Sequence, residues 1–304
     1  MEAKEFRQKL KPWVLPIAMV FGALFHSAID AMQFLVPYLI FTMLFITFCR
    51  IRPSELRLTK MIWSLLAVQI LGSIVLFAAL RPLGLPFAQA AFICVFCPTA
   101  TAAPVVTGML GGSIARVAAY SIASNMTVAL TAPFLFVWVG ESQVDMSFAE
   151  EFTTIALKVA PLIVLPLLCA FSLYFFARPL HDTVDRYQGV SFYLWAVSLL
   201  LVVGKSVSFI LREPASMLPM IVSIAIAAAI LCVLQFYIGR RIGRVCGDRI
   251  SAAQGLGQKN TVLAIWMALT YFDPLSSIGP AAYIVWQNAI NSGQLYYKMK
   301  KTAV

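Results

Sequence analysis

The chain contains ten apolar segments that are each long enough to cross a lipid bilayer. A membrane-spanning helix needs about 20 mainly apolar residues, with a range of roughly 17 to 25. Inside a bilayer every backbone polar group must be paired within the protein, and helices achieve this pairing within one segment. We therefore predict an all-α membrane protein with ten transmembrane helices, at residues 12–28, 33–49, 61–80, 87–110, 114–140, 152–177, 189–211, 216–238, 250–272 and 276–297.

The composition and the charges agree with this interpretation. The chain is 61% hydrophobic and only 12% charged, whereas soluble proteins are about half apolar and about a quarter charged. Lys and Arg gather in cytoplasmic loops. With the N-terminus inside, eighteen of the twenty-three Lys and Arg residues fall on the cytoplasmic side. We predict a multi-pass protein of the cell (inner) membrane with both termini cytoplasmic, whose net charge of +10 reflects topology and does not indicate nucleic acid.

Lys259 lies in the middle of the ninth apolar segment, and no carboxylate of the chain lies at the same depth. A charge at the centre of a membrane helix costs about 2.5–3.5 kcal/mol on insertion scales, and such residues usually face a bundle interior or a wet cavity. Gly255 and Gly257 precede it and are predicted to interrupt the helix, because glycine loosens helical backbone. A broken helix that carries a charge at mid-membrane indicates a substrate or ion site.

The fourth segment is predicted to be broken as well. Pro98 and Pro104 are six residues apart, and each removes a backbone hydrogen bond and clashes with the preceding turn. Segments four and nine are five spans apart, so the second half enters the membrane from the opposite side. We predict two inverted repeats, residues 1–140 (helices 1–5) and 141–304 (helices 6–10), with a transporter site where the two broken helices meet.

Small polar side chains surround both predicted breaks, and Asn288 on the tenth segment is placed to support them from behind because a buried amide in lipid must find a partner. No nucleophile–base–acid set, phosphate loop or metal-ligand set is found, so an enzyme, a cofactor and a metal site are not expected. The predicted helix breaks are Pro98, Pro104, Gly255 and Gly257. The predicted substrate or ion pathway comprises Thr99, Thr101, Ser121, Asn125, Gln258, Lys259, Asn260, Thr261 and Asn288.

Two motifs resemble those of the bile acid:sodium symporter family. Residues 97–102, Cys-Pro-Thr-Ala-Thr-Ala, are similar to the family's Cys-Pro-Gly-Gly-Thr-Ala break, and residues 257–260, Gly-Gln-Lys-Asn, resemble its Gly-x-Gln-Asn motif. Pro280, Trp286 and Asn288 follow, as in the family's Pro…Trp-x-Asn pattern. The resemblance implies two inverted five-helix repeats, a panel domain (helices 1, 2, 6 and 7) and a core domain (helices 3–5 and 8–10). It also implies that helices 4 and 9 cross at their breaks.

The chain departs from the family at the positions that hold sodium in its sodium-coupled members. Gly255 stands in the place of an acid, Lys259 in the place of a glutamine, and Ala103 and Pro104 in the places of a Ser-Asn pair. An ammonium makes such a site electrostatically wrong for a second cation. We therefore expect the Lys259 ammonium to replace a sodium ion, to bridge carbonyl ends at the crossing, and to make transport independent of sodium. Cycles of proton loss and gain at Lys259 would couple transport to protons, and facilitated diffusion is the simpler option.

The expected function is secondary transport of a small organic anion by alternating access. The buried cation and the freed helix N-termini favour a negative group on the substrate, and the resemblance suggests a bile-acid-like or other carboxylate or sulfonate. One alternative is a metalloid (arsenite-type) efflux permease with Cys97 as a thiol ligand. Another is a membrane receptor or scaffold that does not transport. The expected partners are this substrate and the lipid bilayer.

Overall fold

The regular elements of the protein are helices. The computed structural model describes residues 14–50, 57–140 and 147–302, so the first residues of the predicted first segment and both chain termini lie outside the described part. The helices of the first half are α1 (Val14–Leu24), α2 (His26–Ile29), α3 (Val36–Phe48), α4 (Lys60–Leu80), α5 (Leu85–Phe96), α6 (Ala103–Leu110) and α7 (Ile114–Gly140). Those of the second half are α8 (Phe148–Phe176), α9 (Arg178–Arg186), α10 (Gln188–Ile210), α11 (Leu218–Val245), α12 (Arg249–Gly257), α13 (Thr261–Tyr271) and α14 (Ile278–Thr302).

Within residues 14–50, 57–140 and 147–302, six helical stretches are long and apolar enough to cross a membrane. The prediction of an all-helical protein with membrane-spanning helices is therefore confirmed at this level. The six stretches are Ala31–Phe48, Lys60–Leu83, Ile114–Gly140, Phe148–Phe176, Tyr193–Ile210 and Ala215–Val245.

The fourth and ninth predicted segments are each divided into two short helices. Segment four is α5 followed by α6, and segment nine is α12 followed by α13. A helix of about 12 residues extends only about 18 Å, well short of the roughly 30 Å hydrocarbon thickness. Neither half of either segment is therefore long enough to cross a bilayer by itself.

The breaks differ in detail from the prediction. Pro98 lies between α5 and α6, but Pro104 is in the first turn of α6, where the missing N–H costs no helical bond. Gly255 and Gly257 are in the last turn of α12, so the second break is at residues 258–260, after both glycines. The prediction that these three residues interrupt the helices was wrong. The glycines instead permit close packing, since a Cβ at Gly255 would lie 2.8 Å from the Tyr120 ring and one at Gly257 2.5 Å from the Phe236 ring.

Proline spacing also proves a poorer guide to breaks than the sequence argument assumed. Pro161 and Pro166 are five residues apart, yet both lie inside the continuous helix α8, and Pro133 lies inside α7. Proline in a membrane helix is tolerated where neighbouring groups pair the freed carbonyl. The first break therefore depends on the partners that its carbonyls find.

Aromatic packing joins α5 of the first broken segment to α13 of the second. The Phe92 ring stacks on that of Phe96 with centroids 5.0 Å apart, and Phe96 meets Phe136 of α7 at 5.6 Å. Phe272, just after α13, packs against Phe136 at 4.9 Å and against Phe92 at 6.0 Å. All four rings are buried. Such aromatic pairs stabilise by about 0.5–1.5 kcal/mol beyond the area they bury, so this cluster fixes α5 and α13 side by side.

Helix α9 was not predicted. It is a short polar helix with Pro179 in its first turn. The His181 ring is buried, and its centroid lies 5.2 Å from that of the Tyr174 ring. Arg178 lies over the same Tyr174 ring at 5.1 Å. Because its polar residues give no apolar run, the sequence pattern indicates a loop here.

Candidate functional site

The two breaks lie against each other and pair as a short antiparallel bridge. The Ala100 N–H donates to the Gln258 carbonyl at 2.9 Å, and the Asn260 N–H donates to the Pro98 carbonyl at 2.8 Å. Thr99 and Lys259 face each other at the centre of this bridge. Backbone groups released by the breaks are thus satisfied by each other in the middle of an apolar bundle, as a bilayer interior requires. We call residues 97–102 and 258–260 together the crossing.

The Lys259 ammonium is directed at the carbonyl end of α5. Its Nζ donates to the Val95 carbonyl at 2.8 Å and to the Cys97 carbonyl at 3.1 Å, and the residue is 1% exposed. The C-terminal end of a helix carries a partial negative charge of about 0.5, so the ammonium lies where a positive charge is favoured. The Lys259 main chain is held separately, because its N–H donates to Gln287 Oε1 of α14 at 2.9 Å.

The other free carbonyls of α5 are taken by two buried glutamines. Gln69 Nε2 of α4 donates to the Phe96 carbonyl at 2.7 Å, and Gln235 Nε2 of α11 donates to the Cys94 carbonyl at 3.2 Å. The last four carbonyls of a helix have no partner within it. Together with the Lys259 ammonium from the second break, these amides of α4 and α11 supply donors from three separate parts of the chain.

Gln69 is in turn fixed by α7. Its Oε1 accepts from the Tyr120 hydroxyl at 2.9 Å and from the Ser124 hydroxyl at 2.8 Å. All three side chains are buried. Because both hydroxyls bind the carbonyl oxygen of the Gln69 side chain, its N–H₂ group is the part that faces the crossing.

The end of α12 is satisfied in the same way. Thr99 Oγ1 donates to the Gly255 carbonyl at 2.8 Å, and the Tyr283 hydroxyl of α14 donates to the Gly257 carbonyl at 2.8 Å. Cys97 Sγ donates to the Asn260 carbonyl at 2.9 Å. The Cys97 thiol is fully buried and engaged in the backbone of the crossing.

The half-helices that leave the crossing begin with few side-chain caps. Asn260 Oδ1 caps α13 by accepting from the Leu263 N–H at 3.3 Å, whereas α6 has no side-chain cap. Asn260 Nδ2 and Thr261 Oγ1, both buried at this end of α13, have no hydrogen-bond partner in the described part of the chain. Helix N-termini attract negative charge. The Asn260 amide and the Thr261 hydroxyl provide two further donors at the N-terminus of α13.

The predicted residues fall into two groups. Thr99, Gln258, Lys259, Asn260 and Thr261 are buried together at the crossing. Thr101 is half-buried in the first break. Ser121 and Asn125 are buried one turn apart on α7, where Asn125 Nδ2 donates to the Ser121 carbonyl at 2.8 Å and Asn125 Oδ1 has no partner among the described residues.

Asn288 was assigned to the wrong position. It is only half-buried, and its neighbour Gln287 is the amide that contacts the Lys259 main chain. Gln258 also points away from the carbonyls of α5. It donates to Gln254, which donates to Gln294 of α14 at 3.0 Å.

Sequence reasoning missed several partners of the crossing, although one signal could have found most of them. Each is a polar residue within one of the predicted membrane segments, where an unpaired amide or hydroxyl is costly. These residues are Tyr120, Ser124, Gln235, Tyr283 and Gln287.

Comparison with known proteins gave no family model and no curated protein that matches the chain.

Proposed function

We propose that the protein is a secondary transporter of a small organic anion, such as a bile-acid-like or other carboxylate or sulfonate, that works by alternating access without sodium. In this proposal ten helices cross the inner membrane as two inverted five-helix repeats with both termini cytoplasmic. Panel helices 1, 2, 6 and 7 move against a core that contains the crossing. The observation that carries the proposal is the pair of hydrogen bonds from the Lys259 ammonium to the Val95 and Cys97 carbonyls.

The charge balance of the crossing favours sodium independence. Carbonyl oxygens at a helix C-terminus attract a cation, and a metal ion would bind through such oxygens. The ammonium already occupies that position, and a second cation beside it would be repelled. Gly255 adds to the argument, because it provides no carboxylate and the Tyr120 ring packs where its side chain would extend.

The two half-helices that start at the crossing favour an anion. Helices α6 and α13 begin directly after the two breaks, and the buried donors Asn260 Nδ2 and Thr261 Oγ1 lie at the start of α13. A carboxylate or sulfonate accepts several hydrogen bonds at once. The half-buried Thr101 hydroxyl lies in the first break and would add a further donor.

The main test is uptake by proteoliposomes. A thermal-shift screen of small carboxylates, sulfonates and steroids identifies a compound that stabilises the purified protein. Uptake of that compound in labelled form is then measured with external sodium and with sodium replaced by choline. We expect equal rates. A strong loss of uptake in choline would contradict the proposed role of Lys259, and a parallel series with imposed pH gradients separates proton coupling from facilitated diffusion.

A second test removes the Lys259 ammonium and asks whether sodium binds in its place. In a Lys259→Gln variant the Val95 and Cys97 carbonyls lose their ammonium donor, so a sodium ion gains oxygen ligands. We expect the melting temperature of this variant to rise with NaCl relative to choline chloride, and that of the wild type not to respond. A sodium response of the wild type would overturn the proposal.

The same preparations test the alternatives. Binding of a screened compound without flux would indicate a receptor or scaffold. Protection of cells against arsenite that is lost in Cys97→Ser would indicate a metalloid permease.

A further inference from the structure

An apolar groove runs along the protein between α4 and α7. It has a volume of about 460 Å³ and its lining includes Leu58, Trp63 and Leu66 on one side and Ala119, Ala123 and Leu130 on the other. Trp63 and Leu130 are exposed. The lining contains none of residues 97–102 and 258–260 and does not include Gln69, so the groove is distinct from the crossing.

The length of the groove corresponds to one leaflet of a bilayer. From Ala119 to Leu130 the helix rises about 16 Å at 1.5 Å per residue. The hydrocarbon core of a bilayer is about 30 Å thick, so the groove covers about half of it. It begins near the first turns of α4 and α7, which are both at the cytoplasmic side in the predicted topology.

Positive charge lies at that end of the groove. Lys60 is three residues before Trp63, and Arg116 is three residues before Ala119, so each precedes a lining residue on the same helix face. Both are exposed. The Arg116 guanidinium contacts Asp248 at 3.3 Å through one nitrogen while its side chain remains 48% exposed. Arg57 precedes α4 at the same end, and the positive ends of both helix dipoles point there.

We propose that this groove binds an anionic phospholipid of the cytoplasmic leaflet. One acyl chain lies along Trp63, Ala119 and Ala123, and the phosphate accepts hydrogen bonds from Lys60 and Arg116. Basic pockets between membrane helices on the cytoplasmic side bind anionic headgroups, and the charges at one end of the groove distinguish this occupant from a neutral lipid. The inference is independent of transport activity, since it needs only the groove, its charges, a bilayer and the proposed orientation with the N-terminus inside.

The test uses Trp63 as a reporter. Phosphatidylglycerol and phosphatidylcholine with brominated acyl chains are titrated into purified protein, and fluorescence quenching of the wild type minus that of Trp63→Phe isolates the groove. We expect half-maximal quenching at a lower mole fraction of phosphatidylglycerol. Lys60→Gln combined with Arg116→Gln should weaken the preference about tenfold, because each basic residue near the membrane surface attracts anionic lipid.

Two controls match the variants. Arg240→Gln with Arg244→Gln removes the same charge from the exposed end of α11 and should retain the preference. Ala123→Phe fills the groove and should abolish quenching by both lipids, whereas Ile230→Phe on exposed α11 should not. Should Ala123→Phe fail to fold, the charge variants decide alone.

Equal quenching by the two lipids, or an equal loss in the Arg240 and Arg244 control, would overturn the proposal. So would a dimer of the wild type that Ala123→Phe converts to a monomer, because the groove would then be occupied by a second copy of the chain.

Discussion

The ammonium of Lys259 is buried among backbone carbonyls, and two effects oppose each other there. Removal of an ammonium from water is costly, which lowers stability relative to an apolar side chain. Loss of the ammonium would leave the Val95 and Cys97 carbonyls without their donor, and an unsatisfied buried acceptor costs about 1–3 kcal/mol. The second effect applies to two carbonyls and is therefore expected to be the larger.

Lys259→Met should lower the free energy of unfolding by about 2 kcal/mol for this reason. Lys158→Met is the matched control, because Lys158 is exposed on α8 and such surface changes stay within about 0.5 kcal/mol. Denaturation of both variants in detergent is the measurement. Equal stability of the two variants would mean that the ammonium contributes nothing to the crossing.

Gly255→Ala should be destabilising although alanine favours helices. A Cβ at this position would lie 2.8 Å from the Tyr120 ring, which is buried and bonded to Gln69. Overpacking costs about 1–3 kcal/mol, which exceeds the helical gain of about 1 kcal/mol. Gly72→Ala in α4 is the control, since its nearest neighbours would be 3.9 Å away, and it should be neutral or stabilising. A Gly255→Ala protein as stable as Gly72→Ala would contradict the packing argument.

Single residues were predictable from the sequence where they break a pattern. Lys259 stood out because it is a charge in an apolar segment, and its burial at the crossing follows from that cost. Asn288 was predicted as the supporting amide, whereas its neighbour Gln287 makes the contact, and one residue is a rotation of about 100° on a helix. Which of two adjacent side chains faces inward is decided by helix rotation, and no local rule fixes that rotation.

At the scale of the helices, the breaks are defined by their acceptors. The carbonyls of Cys94 and Phe96 each accept from a glutamine of another helix, and that of Val95 accepts from Lys259 in the second break. Pro161 and Pro166 lie in α8 without dividing it, although their spacing is closer than that of Pro98 and Pro104. The sequence therefore locates candidate breaks, and long-range hydrogen bonds determine which of them form.

Gln69→Leu tests this dependence. The change removes the donor to the Phe96 carbonyl and the acceptor for Tyr120 and Ser124, so we expect a loss of about 2–4 kcal/mol in unfolding free energy. Ser124→Ala removes only one donor to the Gln69 carbonyl oxygen and should cost about 1 kcal/mol. If the two variants unfold at the same denaturant concentration, the crossing does not depend on Gln69.

At the scale of the whole molecule, the helices were largely predictable and their contacts were not. Nine of the ten predicted apolar segments lie wholly within the described residues, and each coincides with a helix or a broken pair, because long apolar runs in lipid have few alternatives. Helix α9 was not predicted because it is short and polar. The contact between α10 and the 3-10 turn before α14 has no sequence signal, since it joins two small residues, Ser206 and Ser277, that are far apart in the chain.

That contact carries the last prediction. Ser277 Oγ donates to Ser206 Oγ at 3.0 Å, and both residues are buried. In the proposed transporter α10 belongs to the panel and Ser277 to the core, so the two must separate at the outer side during each cycle. We expect Ser206→Cys with Ser277→Cys to form a disulfide under oxidation and to lose uptake, with recovery on reduction. Measurement combines thiol counting with proteoliposome uptake.

The pair Ser208→Cys and Ser277→Cys is the control, because Ser208 contacts His26 at 3.0 Å. It should neither crosslink nor lose uptake. Crosslinking and uptake are measured separately, so a failure of the contact can be distinguished from a failure of the transport model. Failure of the first pair to crosslink would place Ser206 and Ser277 apart, whereas a complete crosslink with normal uptake would leave their contact intact and exclude a panel that moves against this core.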